Sequence, residues 1–186
     1  MITTAEIAAG ITGAVRLARR DPTGMDCFDT SPRGFWRSFW AAALVAPLFI
    51  LVDVLSGGLG ADTGPRQLAV KLIGYVIDWT LFPVVMITIA DSLGKWPQYM
   101  RYIVAYNWSA VVQLTVLTPA AVLAVTAPSH GTMLLAQVVT IALLIYRAYV
   151  AHVALAVNLG TAAGIVLLDV LLAGVLRALS DRMMGM

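Results

Sequence analysis

The chain has 186 residues, of which 60% are hydrophobic and 12% charged, with a formal net charge of +2. A soluble domain carries roughly 25% charged residues; this chain lacks the charge to cover an aqueous surface, and its mean hydropathy of +0.87 points to lipid as the solvent. The small net charge without a basic stripe argues against a nucleic-acid partner, and one cysteine, Cys27, rules out an intrachain disulfide and any CxxC-type redox or metal motif.

The N-terminal segment reads as a helix. Thr3 and Thr4 offer caps, Glu6 falls in the first turn, and Ile7, Ile11, Ala14, Val15 and Ala18 follow helical spacing. Arg16, Arg19 and Arg20 cluster at its C-terminal end, where cations suit the helix dipole. Two placements fit: an amphipathic helix lying on the membrane surface, or an ordinary cytosolic helix packed on its own loops. Asp21-Pro22-Thr23-Gly24 ends it, and a polar linker leads to Trp36. Residues 1–35 are expected to form this cytoplasmic helix and linker. The first strongly apolar run begins only near Phe39, so the N-terminus is expected to be retained and the first span to act as a signal-anchor.

Crossing the hydrocarbon takes roughly 20 helical residues. Continuous apolar runs, without alternation, exclude a β-barrel as the explanation. The first run, Phe39 to Leu55, is entered through Trp36, Arg37 and Trp40, an aromatic and basic collar typical of an interface. The second, Leu68 to Ala90, stops at Asp91-Ser92-Leu93-Gly94-Lys95-Trp96-Pro97. The third runs from Tyr102 to Ala127, before Pro128-Ser129-His130-Gly131. Met133 to Leu179 is almost continuously apolar and reads as a helical hairpin turning at Asn158-Leu159-Gly160-Thr161, with Asn or Gly as C-cap and Thr as the next N-cap. The expectation is an all-α polytopic bundle in residues 36–180, with spans at about 36–56, 67–90, 101–126, 132–157 and 161–179 and a 181–186 tail.

Lys and Arg set orientation. With the N-terminus inside, the cytoplasmic side holds Arg16, Arg19, Arg20, Arg33, Arg37, Lys95, Arg101 and Arg147, against Arg66, Lys71, Arg177 and Arg182 outside. This predicts an N-in, C-out protein of the bacterial inner membrane.

Ionisable groups at membrane depth are costly and mark candidate sites. Arg147 and Asp169 lie at equal distances from the predicted turn, roughly 16 Å along each helix. They read as a pair that forms part of an ion or proton path, as a register-fixing ion pair, or as an Arg147 that snorkels to the inner headgroups. Asp78 falls near the middle of span two, level with Gln113 and Thr115 of span three, with Tyr75 one turn away as a hydroxyl donor. It reads either as a substrate- or proton-contacting carboxylate or as polar glue between helices. Asp53 and Lys71 lie near one interface and are candidates to pair. Tyr102, Tyr106 and Asn107-Trp108 read as an interfacial belt with one satisfied Asn. His130 and His152 bracket span four, roughly 33 Å apart along a helix, which argues against a shared haem. No cofactor or metal is expected. Pro47, Pro83 and Pro119 interrupt spans one to three. Gly160 and Gly164 form a G-x-x-x-G motif suited to close helix packing.

No P-loop, nucleophile elbow, dinucleotide fingerprint, H-E-x-x-H or EF-hand occurs. Five spans cannot divide into the equal inverted halves of many transporters.

The basic N-terminal helix, the linker, Arg33-Gly34-Phe35-Trp36-Arg37-Ser38-Phe39-Trp40 and then five spans, with Ile103-Val104-Ala105-Tyr106-Asn107-Trp108 opening the third, resembles small Yip1-like membrane proteins of bacteria. The resemblance covers the layout of most of the chain and carries no catalytic motif. It implies a five-helix membrane fold and a role in membrane organisation, and supplies no site residues. The function expected first is therefore a non-enzymatic accessory, assembly or membrane-organising protein that works by helix contacts. Its partners would be membrane lipids and other membrane subunits or a second copy. The alternative is a small ion or solute transporter or channel using Asp78 or the Arg147–Asp169 pair.

Overall fold

The computed structural model describes residues 2–60 and 63–184; the last two residues of the expected tail lie outside them. Among the described residues the fold is helical, with no strand: α1 (Thr4–Ala18), α2 (Pro32–Ser38), α3 (Trp40–Leu55), α4 (Pro65–Ser92), α5 (Tyr99–Thr126), α6 (His130–Leu155) and α7 (Leu159–Met184). Short 3-10 turns occupy Pro22–Cys27 and Trp96–Gln98. Five helical stretches are long and apolar enough to cross a membrane: Pro32–Leu55, Pro65–Ser92, Trp96–Thr126, His130–Leu155 and Leu159–Met184. Their outer faces carry Leu, Ile and Val side chains such as Leu72, Leu134, Ile141, Leu167 and Val175 exposed. Lipid is the solvent that suits such a surface, and the chain is a multi-pass membrane protein.

Helix α5 is the central element. It packs against α3 and α6, while α7 packs against α6 and α4. The core gathers at the end of the bundle that carries α1, around Ile103, Val104, Ala105, Val150, Ala151, Ala154 and Leu155. Small residues here let the helices approach closely, which dispersion rewards in the absence of a hydrophobic drive between membrane helices.

Helix α1 lies neither free on the membrane nor only on its own loops. A Thr3–Glu6 capping box starts it, and it docks through Gly10, Gly13, Ala14 and Leu17. At Gly10 the Trp108 indole of α5 occupies the space a Cβ would need, and Gly13 and Gly24 exclude each other's Cβ in the same way. The Tyr146 hydroxyl of α6 donates to the Ala14 carbonyl at 2.8 Å, and Tyr149 donates to Arg20 O at 2.9 Å. Glu6 pairs with Arg37. The stretch expected to be a polar linker is ordered, with Asp21 and Ser31 capping the 3-10 turn and α2.

This docking corrects the reading of Asn107 and Trp108 as an interfacial belt. Both are buried beneath α1 and α2, together with Tyr99 and Tyr102, and the Asn107 amide donates to Ser38 Oγ at 2.8 Å. The Asn107 Oδ1 is buried without a hydrogen-bond partner among the described residues.

The last hairpin turns earlier than expected. Helix α6 ends at Leu155, and the left-handed position is taken by Ala156 with φ of 51°. Asn158 caps the following helix, its Oδ1 accepting from Thr161 N at 2.8 Å, so Gly160 and Thr161 belong to the first turn of α7. An oxygen acceptor at the N-cap satisfies an orphan amide better than the C-cap role assigned to Asn158 from sequence. Helix α7 continues to Met184, beyond the expected end at 179, and takes up the described part of the tail.

Candidate functional site

The intramembrane polar residues separate into two groups. The first is a closed cluster on α5, α6 and α7. Arg147 Nη1 meets Asp169 Oδ2 at 2.7 Å, and Arg147 Nε donates to Gln113 Oε1 at 2.6 Å. The Tyr106 hydroxyl donates to the other Asp169 oxygen at 3.0 Å, and the guanidinium lies 5.6 Å from the Tyr106 ring centroid. Asp169 is 6% exposed. Each charge thus has a counter-charge and a neutral hydrogen-bond partner, the condition under which a buried ion pair is tolerated. Three helices are tied at one level, which fixes their register. The Arg147 side chain stays 27% exposed, while Asp169 and Gln113 are buried.

The second group lines a cavity of about 550 Å³ between α3, α4, α5 and α7. The cavity exists because α4 changes neighbours along its length. Phe82, Pro83, Met86 and Ala90 of its C-terminal half are buried, and Tyr99 of α5 donates to Pro83 O at 3.0 Å. In the N-terminal half Leu72, Ile73, Val76 and Ile77 are exposed, and a Cβ at Gly74 would lie 3.3 Å from Ser180 Oγ of α7. Pro83 stands at the changeover. Its ring removes the backbone bond to the carbonyl four residues earlier, which loosens the helix there.

The seam between α3 and α4 is closed by side chains. Lys71 Nζ lies 2.8 Å from both carboxylate oxygens of Asp53, and the Tyr75 hydroxyl donates to Ala42 O at 2.7 Å. Phe49 and Tyr75 rings meet at 5.1 Å. Both poles of the expected Asp53–Lys71 pair are thereby neutralised.

Asp78 lines this cavity two turns deeper than Lys71, roughly 10 Å along α4. Among the described residues it makes no hydrogen bond or ion pair. The partners expected from depth are engaged elsewhere: Tyr75 with Ala42 O, Gln113 with Arg147, and Thr115 with Val111 O. Equal depth did not bring contact because α4 and α5 part at that level. Thr118 and Gly74 also line the cavity, and Ser56, Arg177, Ser180 and Asp181 line it toward the ends of α3 and α7. Arg177 and Asp181, which sequence reading did not single out as site residues, likewise make no hydrogen bond or ion pair among the described residues. Their signal was present as an i, i+4 pair on a lipid-rich helix, but only the fold shows which wall they occupy.

Gly160 and Gly164 do not serve packing within the chain. A Cβ at Gly164 would meet nothing within 4 Å, and one at Gly160 would meet only Asn158 Oδ1, at 3.3 Å. Among the described residues no group of three His, Cys, Asp or Glu side chains could hold a metal ion. His152 is engaged with the Val157 carbonyl at the end of α6.

Comparison with protein-family models, with curated proteins and with solved structures found no match for this chain.

Proposed function

We propose that this multi-pass membrane protein holds a small solute or ion through Asp78, and that it works as a small membrane transporter or channel rather than as an enzyme. One observation carries the reading: Asp78 lines a cavity of about 550 Å³ at depth, with no hydrogen bond or ion pair among the described residues. A carboxylate left unpaired in the membrane interior is expensive. A cationic group seated beside it supplies the missing counter-charge. The volume lies within the 300–1,000 Å³ of ordinary small-molecule sites. The Arg147–Asp169 pair is internally satisfied and is assigned to holding the bundle together.

The proposed setting is the bacterial inner membrane with α1 on the cytoplasmic side. Arg16, Arg19, Arg20, Arg33, Arg37, Lys95 and Arg101 lie at the α1 end of the helices and support that orientation. Arg147 drops out of the count because its charge is paired with Asp169. The cavity then faces the opposite side, and α1 caps the cytoplasmic end.

Cysteine labelling tests this. In a Cys27→Ser background, Leu117→Cys places a thiol on the cavity wall. A trimethylammonium methanethiosulfonate is expected to label it from the α3–α4 loop side faster than the sulfonate reagent, by on the order of tenfold. Asp78→Asn is expected to abolish the preference. Equal labelling by both reagents, unchanged by Asp78→Asn, removes Asp78 from the mechanism.

A second reading, action by helix contact with another membrane protein, is supported by the open Gly164 face of α7. Gly164→Leu is then expected to leave the monomer folded and to abolish co-purification of a partner or second copy in mild detergent. A monodisperse wild-type monomer with nothing bound counts against it.

A further inference from the structure

We propose that the cavity takes a water-soluble zwitterion, with its ammonium group on Asp78 and its carboxylate on Arg177. This rests on the reading of Asp78 given above and adds the second pole.

The charged side chains lining the cavity are Asp53, Lys71, Asp78, Arg177 and Asp181. Asp53 and Lys71 neutralise each other through two 2.8 Å contacts. That leaves one cation, Arg177, and two carboxylates without a hydrogen bond or ion pair among the described residues. Asp181 follows Arg177 by one turn of α7, nearer the helix end at Met184. A basic residue preceding an acidic one at this spacing is the weaker orientation for a helical pair. Asp78 stands on α4 and Arg177 on α7, so the deep carboxylate and the unpaired cation belong to different walls of one cavity. The charges whose field acts on Asp78 are Asp169, Arg147 and Arg177, and none of the three forms an ion pair with it.

A bare cation answers Asp78 but gives Arg177 no ligand, and a bare anion on Arg177 would be repelled by Asp78 and Asp181. A molecule carrying both charges satisfies both walls at once. The lining also holds Leu48, Leu114 and Leu117, apolar side chains available to a short hydrocarbon segment. The Phe49 and Tyr75 rings offer π-faces near the ammonium end. The Asp53–Lys71 and Tyr75–Ala42 bridges close the α3–α4 seam at two levels, which directs access through the polar mouth at Ser56 and Ser180 and favours a soluble ligand over a lipid.

The test uses the full chain in detergent and follows Tm with three matched probes. These are ε-aminocaproate, which has both charges on a flexible chain, hexylamine, which has the cation alone, and hexanoate, which has the anion alone. The zwitterion is expected to raise Tm progressively with concentration, as a ligand of the native state must. Each single-charge probe is expected to give less than half that shift, about half being the boundary at which one pole would account for the effect. Asp78→Asn and Arg177→Gln should each abolish the response to ε-aminocaproate. Asp78→Glu, which keeps the charge, should retain a reduced response and guards against a variant that merely misfolds. If hexylamine matches the zwitterion, dependent on Asp78 and indifferent to Arg177→Gln, the zwitterion class is overturned while the reading of Asp78 as a cation site stands. If hexanoate matches it, indifferent to Asp78→Asn, both are overturned. No shift with any probe overturns the zwitterion proposal, and the labelling experiment at Leu117 then judges the Asp78 reading separately.

Discussion

Asp78 and Asp169 face the same solvent problem and resolve it differently. Asp169 has Arg147 at 2.7 Å and the Tyr106 hydroxyl at 3.0 Å. Asp78 has a cavity. Removing one partner of a buried ion pair leaves the other charge uncompensated, which costs about 3–5 kcal/mol, whereas replacing both by apolar groups is often neutral. Arg147→Met is therefore expected to destabilise the bundle strongly, and Arg147→Met with Asp169→Leu to recover most of the loss. Tm in detergent checks both; a double variant as unstable as the single one would show that the pair does more than neutralise itself. Asp78→Asn, in contrast, removes no hydrogen bond or ion pair among the described residues and should leave the folding stability within about 0.5 kcal/mol of wild type, the range of substitutions away from packed features.

At the level of elements, α1 is held by contacts that depend on ionised carboxylates. The Thr3 amide and hydroxyl, with Arg37, hold the Glu6 carboxyl below its usual range. The Thr23 hydroxyl and amide do the same for Asp21, and those of Ser31 for Asp29. A group whose pKa is depressed on folding contributes stability fully above its unfolded value, and that contribution is lost as pH falls through the folded value. Acidification below about pH 4 should therefore loosen α1 from α5 and α6. In a variant whose other four tryptophans are replaced by Phe, the Trp108 emission is expected to shift red over that range; an unchanged spectrum down to about pH 2 would contradict the coupling. Gly10→Leu attacks the same contact sterically, because the Trp108 indole fills the site of the new side chain. Overpacking of this kind costs typically about 1–3 kcal/mol. The expected result is proteolytic release of the N-terminal segment while the membrane helices stay intact, and resistance equal to wild type would show that Trp108 moves aside freely.

Across the whole molecule, two ends of one bundle are treated differently. At the α1 end, α5 and α6 are sealed by α1 and α2, with Tyr146 and Asn107 hydrogen-bonded beneath them. At the other end, α4 departs from α5 and a cavity remains. The spans themselves were legible from the chain, because roughly 20 apolar residues and polar, Gly- or Pro-bearing turns are local properties. So was the Arg147–Asp169 meeting, since a hairpin relates residues by simple counting from its turn. The same counting failed for Asp78 and Gln113. Depth along a helix is local information, but the lateral distance between two helices depends on every side chain between them. The role of Gly10 was equally invisible: nothing in its neighbours in sequence indicates that an indole 98 positions later requires the space. Apolar length and the distribution of Lys and Arg determined that this chain is a membrane bundle and which way it is expected to face. Only tertiary packing decided which charges at membrane depth pair and which are left lining a cavity, because neutralising a charge in lipid requires contact within a few ångströms, and contact is set by how the helices lean on one another.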